Sequence, residues 1–280
     1  MNDLRATHTD ALRRLLRQRA GITLGAGKEY LVQARLGPLA EQVGLGSVGA
    51  LIERVDAGTA PLLVDTVVEA MTINETLFFR DAHAFNGLRD TILPTLITRP
   101  GRIRVWCAAA STGQEPYSLA MLLLEQYADQ AGRFDILATD IATSALARAE
   151  EARYTQLEVN RGLPAALLLK YFRRTGRDWQ LNDDVRAMVR FRRHNLVGVR
   201  PPGEPFDLVL LRNVLIYFDE PARREVLDRI RSVLRVGGWL VLGATETASA
   251  LRDGFVRIPE ARALRYRPDT PTNPSALISR

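Results

Sequence analysis

Val105 to Tyr117 reads VWCAAASTGQEPY, and SLAMLLLEQYA follows from Ser118 to Ala128. The first part is an apolar, strand-forming run, and the continuation has helical spacing. Between them the chain empties into small side chains, meets one glycine, Gly113, and passes through Glu115-Pro116. A strand that ends in small residues before a helix leaves room for a ligand at the corner. Such corners usually present helix amides to phosphate. Here a carboxylate stands at the mouth of the helix, and the second and third glycines of the dinucleotide turn are missing.

Outward from this corner the texture repeats. IRVWCA (103–108), FDILATD (134–140), MVRFRRHN (188–195), FDLVLL (206–211) and WLVLGA (239–244) are short strand-like runs. Helical stretches separate most of them: 118–128, ATSALARAEEA at 142–152, and EPARREVLDRIRSVLRVGG at 220–238. In the last, Asp219 suits an N-cap, and Gly237-Gly238 a stop. Alternating strand and helix predicts an α/β fold, a parallel Rossmann-like sheet with helices on both faces. GFVRIPEARALRYRP (254–268) reads as two strands joined by a short turn, an antiparallel edge pair. Residues 154–190 are too long for a simple connection and form an inserted subdomain, a helix with a small antiparallel hairpin. DTPTNPSALISR (269–280) reads as a disordered tail.

Residues 10 to about 70 have helical spacing and little strand character, beginning with Leu12, Leu15, Leu16 and Arg19. KEYLVQARLGPLAEQVGL (28–45) is a second helical run, with an interruption expected at Gly37-Pro38. SVGALIERVDAG (47–58) and PLLVDTVVEAMT (61–72) are two more, with Pro61 in a first turn. GLGSVG (44–49) matches the dinucleotide fingerprint by letters, but a helix precedes it where a strand is needed. It reads as a loop that ends one helix and admits the next. The organisation is therefore an all-α domain over 1–72, an α/β domain over 73–268 carrying the insertion, and the tail.

The 280 residues are 46% apolar and 25% charged, with net charge +6 and one cysteine, Cys107, which excludes an intrachain disulfide. No run of eighteen apolar residues predicts a membrane insertion, and the N-terminus lacks a signal peptide's apolar stretch, so a cytoplasmic protein is expected. The modest positive charge favours an acidic partner. No basic platform interleaved with aromatics points to nucleic acid. His8, His83 and His194 lie far apart, so no metal site is expected.

In open α/β sheets ligands bind beyond the carboxyl ends of the strands. Ala108–Gly113, Gln114 and Glu115 follow the first strand, Asp140 ends the second, Asn195 and Leu196 follow the third, and Arg212, Asn213 and Tyr217 follow the fourth. An acid at the position of Asp140 accepts from ribose hydroxyls, or else caps the next helix. Glu115 either caps its helix or selects the ligand. Two like charges about 4 Å apart cost on the order of 4 kcal/mol at an effective dielectric near 20, which disfavours a diphosphate there. S-adenosylmethionine resolves the conflict, because it has a ribose together with an α-ammonium and a sulfonium. Ser111 is not a nucleophile candidate, since ASTGQ is not a G-x-S-x-G elbow. Just before the sheet, TINETLFFRDAHAF (72–85) would place Thr76 and Arg80 on one face if helical. It is positioned to close over the site, or is an ordinary linker helix.

TINETLFFRDAHAF, VWCAAASTGQEPYSLAM, ATDI, RFRRHNL, FDLVLLRNVLIYF and GGWLVLGATET occur in this order across the chain, and over residues 10 to 267 it resembles the CheR-type chemotaxis receptor methyltransferases. The resemblance implies a class I methyltransferase domain with a seven-stranded sheet, and a small β-subdomain at 154–190. Carried over by position, it implies that Asn74, Thr76, Arg80, Gly113, Glu115, Asp140, Asn195, Leu196, Leu211 and Arg212 contact S-adenosylmethionine. Arg80 and Tyr217 would lie nearest the transferred methyl. The implied acceptors are glutamates on the cytoplasmic helices of chemoreceptors, and the products are a glutamate methyl ester and S-adenosylhomocysteine. A glutamate is already ionised at neutral pH, so no general base is needed. A class I methyltransferase with another protein or a small molecule as acceptor is the alternative. Two departures stand out. The helix that is often strongly basic in the family keeps Lys28 and Arg35 but includes Pro38 and Glu41. Docking there is weakened or moves to Arg13, Arg14 and Arg17, unless those form an ordinary solvated face. The hairpin region has a single glycine, Gly176, so no requirement for a receptor C-terminal tail peptide is expected.

Overall fold

In the first 71 residues each apolar stripe becomes one helix. They are α1 (Ala6–Ala20), α2 (Glu29–Gln42), α3 (Val48–Asp56) and α4 (Pro61–Met71). Leu12 and Leu16, Val32 and Leu36, Leu51 and Ile52, and Val67 are buried, one set from each helix. The computed structural model describes residues 4–203, 205–246 and 254–267, so the expected tail at 269–280 lies outside the described residues. The chain divides into two compact units, Met1–Ile73 with Tyr217–Arg223, and Asn74–Ile216 with Arg224–Arg280.

In the first unit, α2 runs through Pro38 instead of breaking there. Proline removes one donor and crowds the carbonyl four residues earlier. That residue, Ala34, is exposed, while Leu36, Leu39 and Ala40 are buried and hold both sides of the turn. The GLGSVG stretch joins α2 to α3, and Ser47 Oγ accepts from Ala50 N at 3.2 Å to cap α3. Arg13, Arg14 and Arg17 are not a free basic face. They pair with Asp10 at 2.9 Å, Asp56 at 3.6 Å and Asp219 at 2.6 Å. Arg35 donates to the carbonyls of Met71 and Thr72 at 3.0 and 2.6 Å and so ties down the end of α4. Residues 217–223 join this unit through an antiparallel bridge between Ile22 and Phe218 and a bond from Thr23 N to Tyr217 O at 2.8 Å.

The second unit opens with α5 (Ala82–Gly87) and α6 (Leu93–Ile97), then β1 (Ile103–Ala108), α7 (Gln114–Gln126), β2 (Phe134–Asp140) and α8 (Thr143–Glu151). The insertion comprises β3 (Arg153–Thr155), α9 (Gln156–Asn160), α10 (Ala165–Tyr171), β4 (Phe172–Thr175), β5 (Asp178–Leu181) and α11 (Asp183–Arg186). The chain then returns through β6 (Val189–Arg193) and β7 (Phe206–Leu211) to α12 (Glu220–Val233), β8 (Leu234–Leu242), β9 (Phe255–Ile258) and β10 (Ala263–Tyr266). The main sheet has seven strands in the order β6-β2-β1-β7-β8-β10-β9. The first five are mutually parallel, and β10 runs antiparallel to both β8 and β9. Every residue of β7 is buried, as both faces of a helix-covered parallel sheet require. Helix α12 starts on Asp219, whose Oδ1 accepts from Ala222 N at 2.9 Å. It stops at Val233, short of the expected Gly237-Gly238, which lie inside β8. A Cβ on Gly238 would come within 2.8 Å of Arg235 O, so the strand needs glycine to bend there.

The insertion holds more than one helix and a hairpin. The β4–β5 hairpin is joined by β3, giving a three-stranded sheet in the order β3-β5-β4. It packs on the segment before the main sheet, where Phe78 meets Tyr154 and Phe172 edge-on at 5.0 and 5.7 Å. At Gly162 (φ +88) a Cβ would lie 2.1 Å from Phe78 O, so only glycine lets the two backbones approach.

Candidate cofactor site

Leu211 pairs with Ala108 on one side and Leu242 on the other, and Ala108 pairs with Thr139. Four parallel strands therefore end level, and the polar residues that follow them gather at one edge. The β1–α7 turn is wound tightly, with Ala109, Ser111 and Gly113 at φ 62, 51 and 93. Ser111 N donates to Asp140 Oδ2 at 2.8 Å, and Ala142 N donates to Asp140 Oδ1 at 2.9 Å. Asp140 thus stitches the β1 turn to the start of α8. A carboxylate oxygen can accept more than one hydrogen bond, so an acid in this place suits ligand hydroxyls. Gly113 is glycine for its φ and for packing, because a Cβ would meet Ala149, Tyr117 and Tyr154 at 3.0 to 3.2 Å. Pro116 is the third residue of α7, so it removes one of the amides a phosphate would use.

Glu115 is not a bare charge. Arg212 Nη1 donates to its Oε2 at 2.7 Å, with the two side chains 1% and 11% exposed for Arg212 and Glu115. Burial raises the Glu115 carboxyl above its ordinary value, while Arg212 opposes that rise; Glu246 adds to it and Arg80 opposes it. The repulsion expected from an isolated carboxylate is therefore largely cancelled. A diphosphate is disfavoured by the missing amide of Pro116 and by Asp140 as much as by Glu115.

The 72–85 segment is not a continuous helix. Residues 73–77 form no helix or strand, Phe78 and Phe79 form a turn with Phe79 at φ 49, and α5 starts only after Asp81. Tertiary hydrogen bonds override the helical spacing. Ser111 Oγ donates to Asn74 O at 2.7 Å, and Phe79 N donates to Ser118 Oγ at 2.9 Å. Arg212 Nη2 donates to Arg80 O at 2.6 Å, so one guanidinium joins the end of β7, α7 and the 74–80 segment. Arg80 itself donates through Nη1 to Glu75 O at 3.0 Å, and its charge reaches Glu115. Thr76 and Asn74 are half-buried on this irregular segment rather than on a helix face.

Past β6, Asn195 Oδ1 accepts from Val197 N at 3.0 Å and Leu196 is buried. Leu211 is fully buried at the end of β7. Tyr217 is half-buried in a short turn of helix, Leu215–Tyr217, and its residue falls in the first unit. One residue at this edge escaped the sequence reading. Glu246, after β8, accepts four backbone amides, from Gly243, Asn213, Val214 and Leu215. Its only sequence signal was an acid three residues beyond the glycine that ends a strand. No group of three or more His, Cys, Asp or Glu able to hold a metal occurs among the described residues.

Residues 74–263 match the CheR methyltransferase SAM binding domain, and residues 8–72 match the CheR methyltransferase all-alpha domain. The chain belongs to the CheR methyltransferase family. It is 40% identical to chemotaxis protein methyltransferase 1 of Pseudomonas aeruginosa, over 92% of this chain and 96% of that relative. It is 38% identical to chemotaxis protein methyltransferase Cher2 of Pseudomonas putida over the same shares. It is 39% identical to a chemotaxis protein methyltransferase of Vibrio parahaemolyticus, over 86% of this chain and 90% of that one. This CheR chain is an enzyme that uses S-adenosylmethionine, and the donor set at the strand ends suits that cofactor. The ligand's amino-acid end is a zwitterion, and the corner supplies both signs, with Glu115 beside Arg212 and Arg80. Its ribose hydroxyls need acceptors, and Asp140, 7% exposed at the end of β2, is a residue of that type. No described helix is long and apolar enough to cross a membrane.

Proposed function

We propose that this CheR family member methylates glutamate side chains on the cytoplasmic helices of chemoreceptors, yielding glutamate methyl esters and S-adenosylhomocysteine. The observation that carries this reading is the buried Glu115–Arg212 pair, which joins the start of α7 to the residue after β7, together with Asp140 at the end of β2, in a chain of this family. S-adenosylmethionine supplies an electrophilic methyl on its sulfonium. Glu115 accepts from the α-ammonium and Asp140 from the ribose hydroxyls, while Asn74, Thr76, Gly113, Asn195, Leu196 and Leu211 complete the binding surface. Arg212 keeps Glu115 in place. Arg80 steers the acceptor carboxylate without pairing with it fully, since a fully paired carboxylate is a weaker nucleophile. The family resemblance adds Tyr217 as a hydrogen-bond donor to that carboxylate.

Glutamate, with an unperturbed pKa near 4.3, is ionised at neutral pH, so the protein has no proton to remove. Its task is alignment and exclusion of water, which supplies roughly 7–11 kcal/mol in favourable cases. Acidic receptor helices suit the net charge of +6, although Arg13, Arg14 and Arg17 are already paired within their own unit. The β4–β5 hairpin turns on Gly176 alone, and we read the enzyme as independent of a receptor tail peptide. Incubation with methyl-labelled cofactor and receptor cytoplasmic fragments, with and without their C-terminal tails, tests both points. Base-labile label on glutamate, equal in the two fragments, is the expected result. Transfer only to tailed fragments removes the tail-independent reading. Binding of cofactor with no transfer to any fragment moves the activity to another acceptor.

A further inference from the structure

Leu211 and Leu242 are register partners, so the residues after β7 and β8 leave the sheet side by side. Glu246 folds back onto both exits. It makes a turn whose Glu246 N donates to Gly243 O at 3.0 Å. Its Oε2 accepts from Gly243 N at 2.7 Å and Asn213 N at 2.8 Å. Its Oε1 accepts from Val214 N at 2.8 Å and Leu215 N at 2.7 Å. Four amides on one carboxylate are charge-assisted bonds, each stronger than a neutral one. They hold Asn213 at φ 58, a left-handed conformation that a non-glycine residue adopts only when its surroundings impose it. The fit is close: a Cβ on Gly243 would lie 2.7 Å from Glu246 Oε2 and 2.9 Å from Asn213 N. The residue immediately before this clamped turn is Arg212, whose guanidinium meets Glu115 Oε2 and Arg80 O.

We infer that Glu246 is a positioning residue for cofactor binding: by clamping the amides of 213–215 it fixes the direction in which Arg212 leaves β7, and hence the Glu115–Arg212 pair. It acts through Arg212 and does not itself touch the cofactor. The inference rests on the methyl-transfer reading given above.

Glu246→Gln keeps the shape but replaces one acceptor oxygen with an amide NH2 that faces two N–H donors. The variant is expected to bind S-adenosylhomocysteine about tenfold or more weakly by calorimetry, the loss typical of a charged hydrogen bond. Hydrogen exchange at Asn213, Val214, Leu215 and Gly243 should quicken. The same substitution in an Arg212→Lys background should cost little further affinity, because its effect runs through the guanidinium. A merely structural role would lower affinity equally in both backgrounds. Wild-type binding of S-adenosylhomocysteine is the control: its absence removes the methyl-transfer reading, whereas hydrogen exchange still tests the clamp. If Glu246→Gln does not fold, Gly243→Ala, which presses on the same carboxylate, takes its place in both measurements. Unchanged exchange at the four amides, wild-type affinity in the variant, or an equal loss in the Arg212→Lys background each overturns the inference.

Discussion

Glu115→Gln isolates the charge at the first strand-to-helix corner. The side chain keeps its shape and one acceptor oxygen, so Arg212 Nη1, now 2.7 Å from Oε2, retains a hydrogen bond but loses its nearest counter-charge, leaving Asp81 at 3.8 Å. The Arg212 side chain is 1% exposed, so water cannot replace what is lost. Removing one partner of a buried pair costs about 3–5 kcal/mol. With the amide oxygen kept and the bond to Arg80 O intact at 2.6 Å, the cost falls below that range, to about 2–3 kcal/mol. At roughly 2–4 °C per kcal/mol for a domain of this size, the free enzyme should melt about 4–12 °C lower. The ligand adds a second effect. Losing a charged hydrogen bond to the α-ammonium removes about 1.5–3 kcal/mol, or roughly a 10- to 150-fold rise in the Kd for S-adenosylhomocysteine. Methylthioadenosine lacks the amino-acid end and serves as the internal control. Calorimetry should find its affinity unchanged by the substitution. Equal losses for both ligands would mean that the corner has collapsed, and no loss for either would mean that Glu115 does not contact the ammonium. Either result refutes the assignment of Glu115.

Arg80→Ala should lower kcat for methyl transfer by about tenfold or more while changing S-adenosylhomocysteine affinity less, a split expected of a group that orients the acceptor. Full turnover in this variant would remove the steering role. Gly162→Ala forces a Cβ to within 2.1 Å of Phe78 O at φ +88, and chemical denaturation should show a loss of about 2 kcal/mol or more. Stability within about 0.5 kcal/mol of wild type would contradict the close approach of the insertion to the 74–80 segment. His194 is buried, and burial, helped by the charges of Arg192 and Arg229, lowers its imidazole pKa to about 4 from 6.5. As pH falls from 6.5 to about 4, the unfolded chain takes up a proton that the folded chain refuses, so stability drops across that window by about 2–3 kcal/mol. His194→Phe, which keeps an aromatic ring against Trp106, should flatten the acid side of a stability–pH profile measured by denaturant unfolding. An unaltered slope between pH 6.5 and 4 would show that another group titrates there.

The sequence by itself determined the fold class, the parallel strand runs, the antiparallel edge pair, the helical start of the chain and the strand ends that carry the candidate site. Those features rest on periodicity and on turn chemistry, which act over a few residues and are written locally. It also singled out Glu115 and Asp140, because an acid after a strand has few neighbours with which to be confused. Tertiary structure decided the rest. The 72–85 segment has helical spacing but forms no helix before Ala82, since Ser111, Ser118 and Arg212 capture its backbone from other elements. Helix α2 survives Pro38 because its buried leucines outweigh one lost donor. The counter-charge of Glu115 comes from Arg212, 97 residues away in the chain, and no local pattern predicts that pairing. Glu246 was invisible for the same reason: its four partners are backbone amides, which every residue but proline carries, so only the register of β7 against β8 reveals which of them it holds.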